Sequence, residues 1–423
     1  MSLSVLLSRR TADPGDKPMP ISLLALAIAA FGIGTTEFVM MGVLPEVAVA
    51  FGVGIPAAGN LITAYAIGVV VGAPLITAAC ARLPRKTVLL AMMALFVIGN
   101  ALFALSPTLG LGVVFRFIAG LPHGAFFGAG SIVAAGLVDP SRRGRAVSRM
   151  FLGLTLANVV GVPLGTLLGQ QVGWRATFAV VAGIGVVAML AIQRLIPDLP
   201  KPQNAGLRHE MVAFKRPQVW LALAIVTFGL GGLFASMSYI APMLTDVTGF
   251  APSSVTLLLA VTGMGMTTGV LVGGRLADRA LMPGMYGALA SLGIVLGLFT
   301  LTADSKVGAV VTLLAIGFAG FMIGPMVQAR VMLAAGGNPS MVSAAVQSGF
   351  NIANSIGAYL GGMVIAGGFG LLAPNAVGAV LSAVGLALAL LSGLMDRRTA
   401  RRSADLAGEG SAPRQSSAAA AVD

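Results

Sequence analysis

Two charged residues stand where charge is expensive. Glu37 and Arg116 each fall inside a long apolar segment, whereas the rest of the 14 Asp and Glu lie in polar stretches. A charged side chain at mid-helix in a bilayer costs about 2.5–3.5 kcal/mol on insertion scales. A carboxyl in such surroundings can be neutral in one state and ionised in another, which is proton chemistry. The alternative for Glu37 is a fixed ion-pair or helix-packing group. At about 1.5 Å of rise per residue, Glu37 lies about 12 Å inside Pro45 and Arg116 about 9 Å inside Gly110. The depths agree, so the two could pair, directly or through water. His123 follows Arg116 by seven residues, on nearly the same helix face. A proton-relay or substrate role competes there with that of a hydrogen-bonded core histidine.

Further polar side chains on apolar segments are Asn60, Tyr65, Asn100, Tyr239, Gln328, Gln347, Asn351 and Asn354. Gln347, Asn351 and Asn354 share one helix face at i, i+4 and i+7. Asn60, Tyr65, Tyr239 and these three are candidates to line a substrate pocket; interhelical hydrogen bonding is the plainer role for each. No nucleophile–His–acid set, metal-ligand spacing or phosphate-binding glycine loop occurs. No enzyme activity, metal or cofactor is therefore expected. A membrane enzyme or sensor is the remote alternative. The single Cys80 forbids an intramolecular disulfide.

The elements that position these groups follow from composition. The 423 residues are 57% hydrophobic and 9% charged, with mean hydropathy +0.95. Soluble domains carry about 25% charged residues. Apolar segments lie near 20–44, 58–80, 87–106, 110–137, 146–170, 174–196, 218–244, 253–277, 282–303, 306–334, 341–366 and 371–395. They are numbered here as spans one to twelve. Only helix satisfies its own backbone in lipid, which predicts an all-α membrane protein of twelve transmembrane helices. The run at 20–44 is read as the first span, not a signal peptide.

The net charge of +12 does not indicate nucleic acid. All Lys and Arg except Arg116, Arg175 and Lys306 fall in alternate loops and the two tails. This positive-inside pattern puts both termini on the cytoplasmic side of the cell membrane. The expected units are a cytoplasmic tail at 1–19, a six-helix bundle at 20–196 and a cytoplasmic hinge loop at 197–217. A second bundle at 218–395 and a disordered tail at 396–423 complete the chain.

The two bundles are one unit written twice. Phe31-Gly32-Ile33-Gly34 returns as Phe228-Gly229-Leu230-Gly231, and Pro45 as Pro242, at an offset of 197 residues. Span five carries Gly153, Ala157, Gly161, Gly165 and Gly169, with Asn158 and Pro163 within the stripe. Span eleven repeats the stripe with Ala345, Gly349, Ala353, Gly357 and Gly361. Small residues four apart let helix backbones approach closely. Glu37 and Arg116 have apolar counterparts in the second copy, Phe234 and roughly Leu313. The charges therefore break the symmetry. They point to a proton pathway in the first half and substrate contacts in the second, at Gln347, Asn351 and Asn354.

Twelve spans, two parallel repeats and a central polar loop resemble the major facilitator superfamily. Arg116-Phe117-Ile118-Ala119-Gly120 is similar to the family's span-four motif, in which the resemblance links the Arg to proton transfer. Asn158 to Gly165 resembles the span-five signature of its drug/proton antiporters, with Val162 intervening between Gly161 and Pro163. That likeness implies that span five packs across the bundle interface. Gly274-Arg275-Leu276-Ala277-Asp278-Arg279 resembles the family's loop motif. Its first-half counterpart keeps Arg82, Arg85 and Lys86 but has Ala81 in place of Asp. The resemblance implies a latch at Asp278 that holds the inward-closed arrangement.

The strings Gly34-Thr35-Thr36-Glu37-Phe38, Gly42-Val43-Leu44-Pro45, Gly120-Leu121-Pro122-His123-Gly124-Ala125-Phe126-Phe127 and Gly173-Trp174-Arg175-Ala176-Thr177-Phe178 look like the arabinose-efflux-permease-like branch, which includes chloramphenicol exporters. The expectation is a proton-coupled exporter of small drugs or sugar-like metabolites. It would use the proton gradient and no other cofactor, and a monomer in the bilayer suffices. An uncoupled sugar or metabolite facilitator is the alternative.

Overall fold

A computed structural model of the chain describes residues 20–80, 82–139, 142–198, 215–335 and 339–410. Among these the structure is helical throughout, with no strand. Span one is Ser22–Gly42, continued by Leu44–Phe51. Spans two to four are Ile55–Ala79, Arg85–Ala104 and Leu109–Gly136. Span five runs Arg143–Leu156, Ala157–Gly161 and Val162–Gln171, and span six is Trp174–Leu195. Span seven is Pro217–Met237, and spans eight to ten are Val255–Arg279, Leu281–Thr302 and Lys306–Ala335. Spans eleven and twelve are Pro339–Ala366 and Ala373–Gly410. Eleven of these are long and apolar enough to cross a membrane by length and composition. The other, span eleven, has spanning length and carries Gln347, Asn351 and Asn354.

Local breaks follow the repeated prolines. Span one stops at Val43, beside Pro45, and span seven stops before Tyr239, beside Pro242. In span five, Ala157–Gly161 is a π turn, closed by Val162 N–H donating to the Ala157 carbonyl. Pro163 lacks an N–H, and its ring crowds the carbonyl four residues back, so the helix widens by one residue there.

The same helix pairs pack in both halves. Span one packs on five and six, two on four, and three on four and six. Span seven packs on eleven and twelve, eight on ten, and nine on ten and twelve. The duplication reaches single glycines. A methyl group on Gly68 or Gly72 would strike the Phe117 or Leu121 carbonyl of span four. One on Gly265 or Gly269 would strike the Leu314 or Phe318 carbonyl of span ten, each 197 residues on.

The halves meet along two seams related by the repeat, span two against span eleven and span eight against span five. One apolar core fills the C-terminal half and crosses the seam to Phe38, Met41, Val43, Leu44 and Val47, near Pro45. A separate core, with Leu26, Met93, Phe126 and Met150, fills the basic end of the N-terminal half. The halves therefore share a core at the Pro45/Pro242 end.

The boundary expected at 395 moves. Span twelve continues as helix to Gly410 instead of giving way to a disordered tail at 396. The stretch from Asp396 holds Ala, Arg and Leu and no proline before Pro413. Extending an existing helix adds one hydrogen bond per residue without a new nucleus. The tail at 1–19, most of the hinge loop, and residues 411–423 lie outside the described residues.

Candidate functional site

Arg116 sits at the centre of the N-terminal half, fully buried. Its Nη1 donates to the Thr36 carbonyl (3.2 Å) and hydroxyl (3.1 Å), and its Nε to the Leu61 carbonyl (3.4 Å). The Thr36 hydroxyl passes its own hydrogen to Asn100 Oδ1 at 2.5 Å. Three rings surround the guanidinium: Tyr65 at 4.4 Å, Phe178 at 5.4 Å and Phe103 at 5.6 Å from its carbon to the ring centres. Each face contact contributes about 0.5–2 kcal/mol, more where water is excluded. The cation is thus held by carbonyl oxygens and π faces.

Glu37 neighbours Thr36 and is buried as well. A direct ion pair with Arg116 is not formed. The ion pairs among the described residues are Lys86–Asp198 (3.5 Å) and Arg330–Asp396 (2.7 Å). The helix periodicity explains the miss: Thr36, one position earlier, takes the guanidinium, and Glu37 turns about 100° away. Each still lies in the other's field. Glu37 faces Asn354 of span eleven across the seam, short of hydrogen-bond geometry. Glu37 Oε1, Arg116 Nη2 and both side-chain polar atoms of Asn354 are buried without a partner.

His123 and Tyr65 extend this centre. The Tyr65 hydroxyl is 3.0 Å from His123 Nδ1, and His123 Nε2 is 3.2 Å from Gln347 Nε2. Gln347 belongs to the opposite half, so this hydrogen bond crosses the seam. Asn351 bonds the Gln347 carbonyl of its own helix at 3.1 Å, leaving its Oδ1 unpartnered. The structure thus brings Glu37, Arg116, His123, Tyr65, Gln347 and Asn354 together.

Other candidates lie elsewhere. Asn60 is exposed near the start of span two. Gln328 is half-buried in span ten. Tyr239 is buried at the Pro242 end, where its hydroxyl donates to the Ala358 carbonyl at 2.7 Å and its ring packs on Gly59 of span two. It is a wedge between halves. Gln170 donates across the same end to the Pro252 carbonyl at 2.9 Å.

The span-five stripe faces inward rather than across the interface. Methyl groups on Gly153, Gly161 and Gly165 would strike Ala27, Thr35 and Val39 of span one. Gly357 and Gly361 press likewise on Gly231 and Ala235 of span seven. Span five does reach the other half, but through its backbone at Asn158. A Cβ on Gly263 of span eight would lie 2.7 Å from the Asn158 carbonyl oxygen. Gly263 was invisible as a contact in sequence because its partner lies in the other copy.

Asp278 and Arg279 are exposed at the end of span eight, after Gly274, and Asp278 forms no ion pair among the described residues. The expected latch is not made in this arrangement. Solvated pairs gain little in any case. Ala81 lies outside the described residues. Arg82 is exposed and Arg85 half-buried, while Lys86 holds Asp198. Arg330, assigned by sequence to the loop side, is instead buried in span ten and bonded to Gln218, Ser392 and Asp396.

A small cavity of about 30 Å³, measured by the centre of a water-sized sphere, lies between spans one, five, seven, eight and ten. Phe38, Met41, Phe234, Met237, Met266 and Phe321 are among its walls. Its polar members, Asn158 and Thr262, bond carbonyls of their own helices.

Two bundles with repeated pairings and a mid-depth seam are the geometry of a rocking transporter. A family model described as Major Facilitator Superfamily matches residues 26–345. The chain belongs to the Major Facilitator Superfamily. It is 41% identical over 370 residues to "Inner membrane transport protein YdhP" of Escherichia coli O157:H7, covering 88% of this chain and 95% of that protein. It is 37% identical over 385 residues to "Putative transporter AraJ" of Escherichia coli K12, covering 89% and 96%. It is 32% identical over 377 residues to "Chloramphenicol resistance protein" of Streptomyces lividans, covering 88% and 96%. A bacterial homologue of the human lysosomal transporter Spinster, in an inward-facing and occupied conformation, superposes with TM-score 0.69 at 17% identity. That match covers 88% of this chain and 96% of the other. The major-facilitator fold and the drug/arabinose-efflux branch expected from sequence are borne out, and the chain is a multi-pass membrane transporter, not an enzyme.

Proposed function

We propose that this transporter is a proton-coupled exporter of small neutral or amphiphilic molecules, working by alternating access. One observation carries the reading. Glu37 and Arg116, opposite charges without polar counterparts in the other copy, are buried near each other without pairing, and Glu37 abuts Asn354 of the moving partner half. A proton arriving at Glu37 removes its pull on Arg116 and changes what it can offer Asn354. That alters the seam about which the halves rock, and substrate release follows the same step. With the basic end cytoplasmic, the arrangement described is closed to the outside.

Export is supported by the resistance protein among the relatives. A neutral, largely apolar cargo is supported by the aromatic and methionine walls of the central cavity, which offer a sugar few hydrogen bonds. The test is uphill transport in vesicles with an imposed pH gradient, using a drug and sugar panel. Glu37→Gln should retain substrate exchange but lose gradient-driven accumulation. Uphill efflux by that variant removes Glu37 from coupling. Wild-type exchange indifferent to the gradient establishes a facilitator instead.

A further inference from the structure

Arg116, Tyr65, His123 and Gln347 form an unbroken line from a buried cation in one half to an amide in the other. The guanidinium lies on the Tyr65 ring, the Tyr65 hydroxyl meets His123 Nδ1, and His123 Nε2 meets Gln347. Tyr65 and His123 are each 1% exposed, so water does not substitute for the contact between them; Gln347 is half-buried. Among the described residues the line exists once. The corresponding positions in the other copy are Thr262, Gly320 and, at the 196-residue offset of spans five and eleven, Phe151.

Hydrogen counting gives the line a direction. A neutral imidazole offers one donor and one acceptor, and the two ends of a glutamine amide are alike in shape, so the network decides its orientation. Suppose the amide N–H donates to Nε2. Then Nδ1–H donates to the Tyr65 oxygen, and the phenolic hydrogen has no acceptor among its contacts. With the amide turned, Tyr65 O–H donates to Nδ1 and Nε2–H donates to Gln347 Oε1. The Tyr65 and His123 hydrogens are then both used, and the donors left over belong to the amide of Gln347, which is half-buried, and not to the sealed Tyr65 hydroxyl. A buried donor left unmet costs about 1–3 kcal/mol, which selects the second arrangement.

We propose that Gln347 is a positioning residue for transport. By accepting from Nε2–H it fixes the tautomer of His123. That tautomer holds the Tyr65 hydroxyl, and with it the ring that bears on Arg116. The state of the Glu37–Arg116 centre is thereby transmitted to the C-terminal half. The proposal rests on the reading of Glu37 and Arg116 as the coupling centre. The groups that face His123 are Tyr65 of span two, Phe127 of its own span and Gln347 of span eleven; Arg116 lies behind Tyr65, and no carboxyl is among these contacts.

The experiment uses full-length protein in vesicles, with Cys80→Ser to free the background of thiols. Spin labels at Val49 and Leu257, both exposed on opposite halves, report the separation of the bundles. Gln347→Leu and His123→Phe should each lower gradient-driven transport about tenfold at little change in KM, the scale of one coupled hydrogen bond. Each should broaden the label distance, and the double variant should match the worse single. Gln347→Glu keeps the acceptor, so it should restore the distance while shifting the pH profile of transport. Additive singles overturn the tie, as does a Gln347→Leu defect confined to KM, which makes Gln347 a substrate contact. If wild type ignores the gradient, the coupling reading fails, and the label distances still decide whether the tie exists.

Discussion

Gly263→Ala is expected to pry the halves apart without damaging either. The added Cβ would sit 2.7 Å from the Asn158 oxygen, 3.1 Å from its carbonyl carbon and 3.3 Å from Val159 Cα. All three obstacles are backbone atoms of the opposite half, so no side chain can swing aside. Overpacking of this kind costs about 1–3 kcal/mol. Here the strain can be relieved by separating span eight from span five. It therefore weighs on the arrangement described and not on the folded state as a whole. A bias of about 1–3 kcal/mol shifts a two-state population about 5- to 150-fold. The control is Gly153→Ala, whose methyl group would strike the Ala27 carbonyl within the same half. It should lower the melting temperature in detergent and leave the balance of arrangements alone. The assay is the Val49–Leu257 label distance together with thermal unfolding of both variants. An unchanged distance in Gly263→Ala, or an equal shift in Gly153→Ala, would refute the assignment of these glycines to different seams.

Arg330 is buried, whereas the Asp396 side chain is 43% exposed. Asp396→Ala strands a buried cation and should destabilise more than Arg330→Met, which leaves a carboxylate that water can reach; melting of both variants in detergent ranks them. Arg116→Lys keeps the charge but loses the fork that reaches Thr36 and Leu61 and the planar stack on Tyr65. It should cost transport at least about tenfold, since about 1.4 kcal/mol, the scale of one charged hydrogen bond, is a factor of ten; wild-type rates from that variant would show that charge alone suffices. Glu46, outside the spans, has its pKa raised from 4.5, first by burial, opposed by its own backbone N–H and the nearby Gln170 amide. Its folded pKa lies above the unfolded one, so its contribution is fully present below pH 4.5 and is lost as pH rises through the folded value. Glu46→Gln should therefore raise the melting temperature at pH 7.5, and the gain should vanish as pH approaches 4.5; a pH-independent gain would contradict the buried carboxyl.

Much of the architecture was legible along the chain. Span lengths, the repeat and the prolines that interrupt spans one, five and seven are local properties. So are the isolation of Glu37 and Arg116 in apolar runs and the small-residue stripes. Insertion cost and helix periodicity act within about twenty residues, so sequence carries them in full. The polar face of span eleven was likewise visible from the spacing of Gln347, Asn351 and Asn354, though not what it faces.

What the tertiary structure decided is which faces meet. The stripe of span five turned to span one, and the seam fell to Gly263 and Asn158. Arg116 took Thr36 and an aromatic cage in place of Glu37, because one residue on a helix is a turn of about 100°. Gln347 reached His123, 224 residues away in the chain. Such contacts depend on the rotation and register of whole helices, which are set by ridges, glycine hollows and ring stacks summed over both bundles. No local segment encodes that sum, and so the chain alone placed a buried acid and base at one depth but left their partners to the packed bundles.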